Sequence, residues 1–171
     1  MMRQLLVFTL FFLSASVVQA ADLLKIGDRF PTWSLVDHAG KTVSSSDLIG
    51  QRYLLWFYPK AMTAGCTAEG DGLRDKFAQF KKAGVEVLGV SFDQPEQNAR
   101  FVREQQFPFR LLSDSQKKLA MFVGAADSVL QPTARRISYL VGADGRVVHA
   151  YNAVIPSAHA DEVLRDLTPA R

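Results

Sequence analysis

Two uninterrupted apolar runs dominate the hydrophobic pattern of this chain. Residues 52–58 (RYLLWFY) and 85–92 (VEVLGVSF) show no alternation with polar positions, which is typical of strands buried on both faces of a sheet. Between them, apolar side chains recur at helical spacing at Leu73, Phe77 and Phe80. The pattern therefore predicts a strand, one helix from about Thr63 or Cys66 to Lys82, and a second strand.

Shorter segments on either side predict the remaining elements. Two short strands flank the Ala-Gly turn at residues 39–40, and Asp93 is placed to cap the next helix. A short strand (FRLLSD), a helix (SQKKLAMFVG), a hairpin with its turn at Asp144 and Gly145, and a closing helix from about Ser157 follow. This order predicts an α/β fold, with a central, mostly parallel sheet, an antiparallel edge pair and helices on both faces.

The first twenty residues have the pattern of a secretory signal peptide. One early cation, Arg3, precedes an uncharged apolar run of roughly 14 residues, and small residues at Val18 and Ala20 suit signal-peptidase cleavage. The run is short of the ~20 residues that a spanning helix needs, which favours cleavage over an uncleaved membrane anchor. We therefore expect a signal peptide at 1–20, one domain at 21–171, and export with the periplasm as the default destination.

Charge and histidine positions exclude several kinds of partner. The formal net charge is +3 at pH 7, and the cations are scattered among acids without a block of like charge. We therefore expect no nucleic-acid binding, and no stable membrane association after signal cleavage. The three histidines, His38, His149 and His159, lack the spacing of metal ligands, so we expect no metal and no cofactor.

Cys66 is the single cysteine of the chain, so it has no partner for an internal disulfide. A lone cysteine is commonly an inert buried residue, but this one follows a predicted buried strand and begins a predicted helix. Unpaired amides and the helix dipole stabilise an anion there, which favours a reactive thiolate. The Thr63 hydroxyl could either reach the sulfur or cap the helix, and Pro59 could either shield the thiol or simply end the strand.

Pro59, Thr63 and Cys66 also match the P-x-x-x-T-x-x-C signature of the peroxiredoxins. The segments FYPKAMTAGCTAEGDGLRD, FKKAGVEVLGVS, FRLLSD and RRISYLVGADGRV resemble, in that order, the bacterioferritin-comigratory-protein or peroxiredoxin Q subgroup of these AhpC/TSA-like proteins. The resemblance extends over about residues 26–167. It implies a thioredoxin-like fold and a thiol-dependent peroxidase.

The resemblance also implies roles for individual side chains. Cys66 would attack the peroxide and become a sulfenic acid, while Thr63 would hydrogen-bond the peroxide and Pro59 would shield the sulfur. The family's active-site arginine corresponds to Arg136, whose positive charge would stabilise the thiolate. Glu69 matches an acid that orients this arginine, although a first-turn acid is also favoured by the helix dipole alone.

The arginine next to the predicted site residue is Arg135. Side chains alternate along an extended strand, so consecutive arginines point to opposite sides. We therefore expect only one of the two, Arg136, to reach the cysteine.

Two positions where relatives place a resolving cysteine hold other residues here. One is Asp71, and the other lies in the helix after FRLLSD, at Leu119, Ala120 and Met121. A one-cysteine enzyme of this kind needs an external thiol reductant, which is expected to be thioredoxin-like, glutaredoxin-like or glutathione. We also expect a monomer or weak dimer.

Two glycines follow the cysteine within the predicted helix. Gly70 and Gly72 each cost a helix roughly 1 kcal/mol relative to alanine. We therefore expect the first turns of this helix to open easily, which would expose an oxidised Cys66 to its reductant.

Two other functions remain open at this point. The first is an exported thiol-disulfide transfer protein, which usually carries a C-x-x-C pair that this chain lacks. The second is a redox sensor or binding protein without peroxidase turnover. The leading prediction is a peroxidase that acts on hydrogen peroxide and organic hydroperoxides.

Overall fold

The computed structural model describes residues 22–167, so the predicted signal peptide at 1–20 lies outside the described residues. The strands are β1 (Ser34–Asp37), β2 (Thr42–Ser44), β3 (Arg52–Phe57), β4 (Val85–Ser91), β5 (Arg110–Ser113), β6 (Ile137–Val141) and β7 (Val147–Tyr151). The helices are α1 (Ala64–Asp75), α2 (Phe77–Lys82), α3 (Pro95–Gln105), α4 (Lys118–Phe122) and α5 (His159–Asp166), with a 3-10 helix at Ser45–Leu48.

Within residues 22–167 the seven strands form one sheet in the order β2-β1-β5-β4-β3-β6-β7. The central strands β5, β4 and β3 are parallel, whereas β1 joins β5, and β6 joins β3, in the antiparallel sense. The α/β fold and the antiparallel pair at the edge, β6 with β7, are confirmed. The expectation of a mostly parallel sheet is imprecise, because a hairpin is attached to each side of the three parallel strands.

Strand β3 has a separate core on each face of the sheet. Tyr53, Leu55 and Phe57 belong to a cluster that also contains Leu119 and Ala120 of α4. Residues 54, 56 and 58 belong to a second cluster with residues of α1, α2, α3 and α5. Because successive side chains of a strand point to opposite faces, the uninterrupted apolar run supplies both cores.

The single helix predicted over residues 63–82 is two helices. Lys76 has φ −105° and ψ 8°, outside the helical region, and divides α1 from α2. Its Nζ lies 2.6 Å from Asp161 Oδ1 of α5. Apolar spacing alone did not reveal this break, because Leu73, Phe77 and Phe80 keep nearly the same spacing across it.

The start of α3 also differs from the prediction. Gln94, not Asp93, is the residue that precedes the helix, and Pro95 occupies its first turn. The Gln94 backbone N–H donates to the side chain of Gln97. Asp93 is instead used by the loop that precedes Cys66. In residues 22–167, no helix combines the length and the apolar character needed to cross a membrane.

Candidate active site

Cys66 lies in the first turn of α1, immediately beyond the loop that follows β3. The residue is fully buried and packs in the same apolar cluster as Trp56, Tyr58 and Leu73. The first backbone amides of a helix have no partner within the helix, so this position favours a negative charge. The structure therefore places the single thiol in a dry site at the positive end of a helix.

The loop between β3 and α1 is held by polar contacts to β4 and to Asp93, two residues beyond the end of β4. The Tyr58 backbone N–H donates to the carbonyl of Val90. The Ala61 backbone N–H donates to Asp93 Oδ2 over 2.8 Å in a buried contact. The sequence predicts Asp93 as a helix cap and gives no signal for this tether, because the contact joins segments that are distant in sequence.

Thr63 occupies the residue before α1, but its side chain does not cap the helix. Its Oγ1 donates to the carbonyl of Lys60 over 3.0 Å. A hydroxyl that has donated its proton keeps two lone pairs as acceptors. Thr63 Oγ1 therefore keeps the capacity to accept a hydrogen bond on an exposed part of the loop, and the capping alternative is wrong. Pro59 is half-buried in the same loop.

Arg136 reaches Cys66 because β6 pairs with β3. Ile137 lies opposite Phe57 in this pairing, which brings the residue before β6 beside the loop after β3. Arg136 Nη2 lies 3.5 Å from Cys66 Sγ, and Nη1 donates to Glu69 Oε2. Among the sequence-predicted side chains, Arg136 therefore contacts both Cys66 and Glu69 directly.

The neighbouring arginine points elsewhere. Arg135 donates to the carbonyl of Gly124 and pairs with Asp127. The expectation that only one of the two arginines reaches the cysteine is confirmed.

The charged side chains of this cluster, Glu69 and Arg136, are largely shielded from solvent. The Glu69 side chain is 0% exposed and that of Arg136 is 22% exposed. Burial alone would lower the pKa of the Arg136 guanidinium, but the adjacent Glu69 and Cys66 act in the opposite direction, and its pKa is raised. Arg136 therefore remains a fixed positive charge beside the sulfur.

Gly65 provides the space that the guanidinium occupies. A Cβ at Gly65 would lie 3.1 Å from Arg136 Nη2 and 3.9 Å from Pro156 Cγ. The loop before α5 therefore also lies against the first turn of α1. The sequence around Gly65 gives no indication that this glycine contacts Arg136.

His159 was not predicted as a site residue. It is the first residue of α5, its side chain is 0% exposed, and its Nδ1 lies 2.8 Å from Glu69 Oε1. The histidines lack the spacing of metal ligands, and an isolated histidine in a short helix gives no signal for such a contact. In the described part of the chain, no group of three or more His, Cys, Asp or Glu side chains is arranged to hold a metal ion.

Comparison with known proteins assigns this arrangement to a family. The model of the AhpC/TSA family matches residues 26–150. The chain belongs to the AhpC/TSA family. Peroxiredoxin Bcp of Escherichia coli (strain K12) is 44% identical to this AhpC/TSA protein over 146 residues, which are 82% of this chain and 94% of that protein.

Two solved structures extend the comparison. Peroxidoxin BcpB from Mycobacterium tuberculosis has a TM-score of 0.80 and 30% identity, and covers 86% of this chain and 99% of its own. Xanthomonas campestris bacterioferritin comigratory protein, described for its alkyl peroxide reduction activity, has a TM-score of 0.73 and 31% identity, covering 79% and 89%. The predicted family and thioredoxin-like fold are thereby confirmed, and this AhpC/TSA protein is a peroxiredoxin, a thiol-dependent peroxidase.

Proposed function

We propose that this peroxiredoxin reduces hydrogen peroxide and organic hydroperoxides through a sulfenic acid at Cys66. One observation carries the proposal: the buried Sγ of Cys66 lies 3.5 Å from the guanidinium of Arg136, whose other nitrogen is held by Glu69. A thiolate in a dry site is a strong nucleophile only if a fixed positive charge stabilises it. Arg136 supplies that charge without requiring a proton transfer.

The oxidation step assigns a separate task to each side chain. The Cys66 thiolate attacks the nearer peroxide oxygen, an S–O bond forms and the O–O bond breaks. The leaving group departs as hydroxide or alkoxide and takes a proton from solvent to give water or an alcohol. Thr63 Oγ1 accepts a hydrogen bond from the peroxide, Arg136 donates to its oxygens as charge develops, and Pro59 shields the sulfur from water.

Reduction of the sulfenic acid requires thiols from outside the chain. A first external thiol condenses with the sulfenic acid of Cys66, forming a mixed disulfide and water, and a second thiol releases the Cys66 thiol and leaves a disulfide of the two external sulfurs. Cys66 is fully buried in the described structure. A reductant larger than a peroxide therefore needs the first turn of α1 to open before it can reach the sulfur.

Turnover in the presence of defined thiols tests the proposed function. Peroxide consumption by the purified protein is followed with dithiothreitol, with glutathione plus glutaredoxin, and with thioredoxin, using hydrogen peroxide and a small alkyl hydroperoxide. Cys66→Ser is expected to abolish turnover, and Arg136→Lys to reduce it on the order of 10²-fold, the typical effect of losing an oriented donor.

The matched control is Arg135→Lys, because Arg135 adjoins Arg136 in sequence but contacts Asp127 and Gly124 instead. It is expected to retain the activity of the unmodified protein. Oxidation of Cys66 that stops after one equivalent with every thiol would contradict turnover and favour a redox sensor.

Export is also part of the proposal. The composition of residues 1–20 supports it: one early cation, an uncharged apolar run and small residues before the predicted cleavage position. The full-length chain is produced in a Gram-negative host, and the amino terminus of the periplasmic fraction is determined. An amino terminus at Ala21 is expected, and an intact Met1 in the cytoplasmic fraction would contradict export.

A further inference from the structure

A buried carboxylate links Arg136 to a histidine on the opposite helix. Glu69 Oε2 accepts from Arg136 Nη1, while Glu69 Oε1 lies 2.8 Å from His159 Nδ1. The side chains of Glu69 and His159 are both 0% exposed. A buried carboxylate needs a donor at each oxygen, because water cannot replace a missing one. In the described residues this 2.8 Å contact does not have the alignment of a hydrogen bond, and neither atom has another partner, so His159 Nδ1 is the nitrogen positioned to become the second donor.

The geometry of a guanidinium explains why this second donor matters. Its fork of nitrogens matches both oxygens of a carboxylate, and a two-point contact is the arrangement that an arginine and a free carboxylate prefer. In this site Arg136 gives Nη1 to Glu69 and Nη2 to the sulfur of Cys66. If Oε1 lost His159, Arg136 could pair with both oxygens of Glu69 and withdraw Nη2 from the sulfur.

We propose that His159 is a positioning residue for peroxide reduction, which holds Glu69 Oε1 and thereby keeps Arg136 Nη2 directed at Cys66. This inference rests on the proposed function of Cys66. His159 does not contact the sulfur and acts through Glu69 and Arg136. Its titratable neighbours are Glu69 from α1 and Tyr151 from β7, whose ring centroid lies 5.4 Å from that of His159. The contact requires a proton on Nδ1, and both the Nδ1–H neutral form and the charged form of imidazole meet that requirement.

Paired substitutions separate positioning from simple packing. His159→Leu replaces the imidazole with an apolar side chain of similar bulk and so removes the Nδ1–H donor. His159→Asn keeps an N–H near the position of Nδ1, and His159→Gln moves the N–H to the position of Nε2. The control is His149→Leu, since His149 lies on β7 with a side chain that is 36% exposed and a more distant acid, Asp166, at 3.9 Å.

The measurement is the rate of sulfenic acid formation at Cys66, by rapid quench and mass spectrometry, across a series of pH values. Thermal unfolding of each variant is recorded in parallel. We expect His159→Leu and His159→Gln to slow oxidation at neutral pH about tenfold, the scale of one hydrogen bond to a charged group. The rise of the rate with pH should move upward by about one pH unit, because the thiolate loses its aligned cation. His159→Asn should restore most of the rate, and His149→Leu should match the unmodified protein.

Each failure has a distinct signature. If the unmodified protein is oxidised no faster than free cysteine, the proposed function fails. If the unmodified protein reacts fast and folded His159→Leu has the same rate and pH profile, the positioning role alone is overturned. If His159→Leu does not fold, the Asn and Gln variants decide: equal rates in the two would also overturn it, because only the Asn variant keeps an N–H near Glu69 Oε1.

Discussion

Gly70 lies directly against the aromatic ring of Phe107. A Cβ at Gly70 would come within 2.9 Å of Phe107 Cε1 and 3.1 Å of Cε2, distances that real Cβ atoms rarely tolerate. The glycine that was expected only to loosen α1 therefore has a packing role. It allows the buried face of the helix that carries Cys66 to approach the segment between α3 and β5.

Alanine at Gly70 should therefore destabilise the protein although alanine is the better helix former. We expect Gly70→Ala to lower the free energy of unfolding by about 1–3 kcal/mol, the usual cost of overpacking. The matched control is Gly72→Ala, whose Cβ would meet Ala160 Cβ at an ordinary 3.7 Å. That control should stabilise α1 by up to about 1 kcal/mol. Thermal or urea unfolding measures both, and an equal gain from the two substitutions would show that Phe107 does not restrict Gly70.

Gly65 offers a way to displace Arg136 without removing it. A methyl group at this position would press on Nη2 of Arg136, which lies 3.1 Å from the expected Cβ. We expect Gly65→Ala to slow oxidation of Cys66 about tenfold, as the loss of one hydrogen bond to a charged group would, without lowering the unfolding temperature. Gly72→Ala again serves as control, since it adds a methyl group to the same helix away from Arg136. An unchanged oxidation rate in Gly65→Ala would show that the exact position of Nη2 is unimportant.

The tether between Asp93 and Ala61 should matter for both stability and rate. Asp93→Ala leaves a buried backbone N–H without its acceptor, which costs about 1–3 kcal/mol. We expect this variant to unfold more easily, to oxidise Cys66 more slowly and to exchange the Ala61 amide faster with solvent. Asp93→Asn retains an acceptor oxygen and should recover most of these losses. Slow exchange of the Ala61 amide in Asp93→Ala would mean that other contacts fix the loop.

Burial of Cys66 makes an opening of α1 necessary for reduction by a bulky thiol. The amides of residues 67–73 should exchange with solvent faster than those of β3 and β4 in the reduced protein, and faster still after oxidation, because Gly70 and Gly72 weaken these turns. Hydrogen exchange read by mass spectrometry measures the difference. Protection in this segment equal to that of β3 and β4 in both states would require another route for the reductant.

The local hydrophobic pattern correctly predicted those elements whose structure depends on residues that are near in sequence. The apolar runs at β3 and β4 predicted buried strands, because strands covered on both faces show no alternation. The same pattern did not predict the helix break at Lys76, because the apolar spacing continues across that residue. The antiparallel attachment of β6 to β3 was also missed, because it depends on how distant segments meet.

The residues of the candidate site also fall into two groups, those that the sequence predicted and those that it did not. Cys66 at a helix start follows from pattern alone, and the family resemblance brought Arg136 and Glu69 to it. His159 and Asp93 were missed as site residues because each acts through one contact with a segment far away in sequence. A single histidine or aspartate carries no periodicity or spacing that would reveal such a contact.

Single-turnover oxidation of Cys66 tests most directly whether Arg136 activates the thiol. The purified protein is mixed with one equivalent of hydrogen peroxide, and sulfenic acid is followed by mass spectrometry in rapid-quench samples, beside Arg136→Lys, Thr63→Val and the control Arg135→Lys. Fast oxidation that slows on the order of 10²-fold in Arg136→Lys, falls in Thr63→Val and persists in Arg135→Lys is the expected result. Oxidation of Cys66 at the rate of a free thiol, or an equal rate in Arg136→Lys and Arg135→Lys, would contradict it.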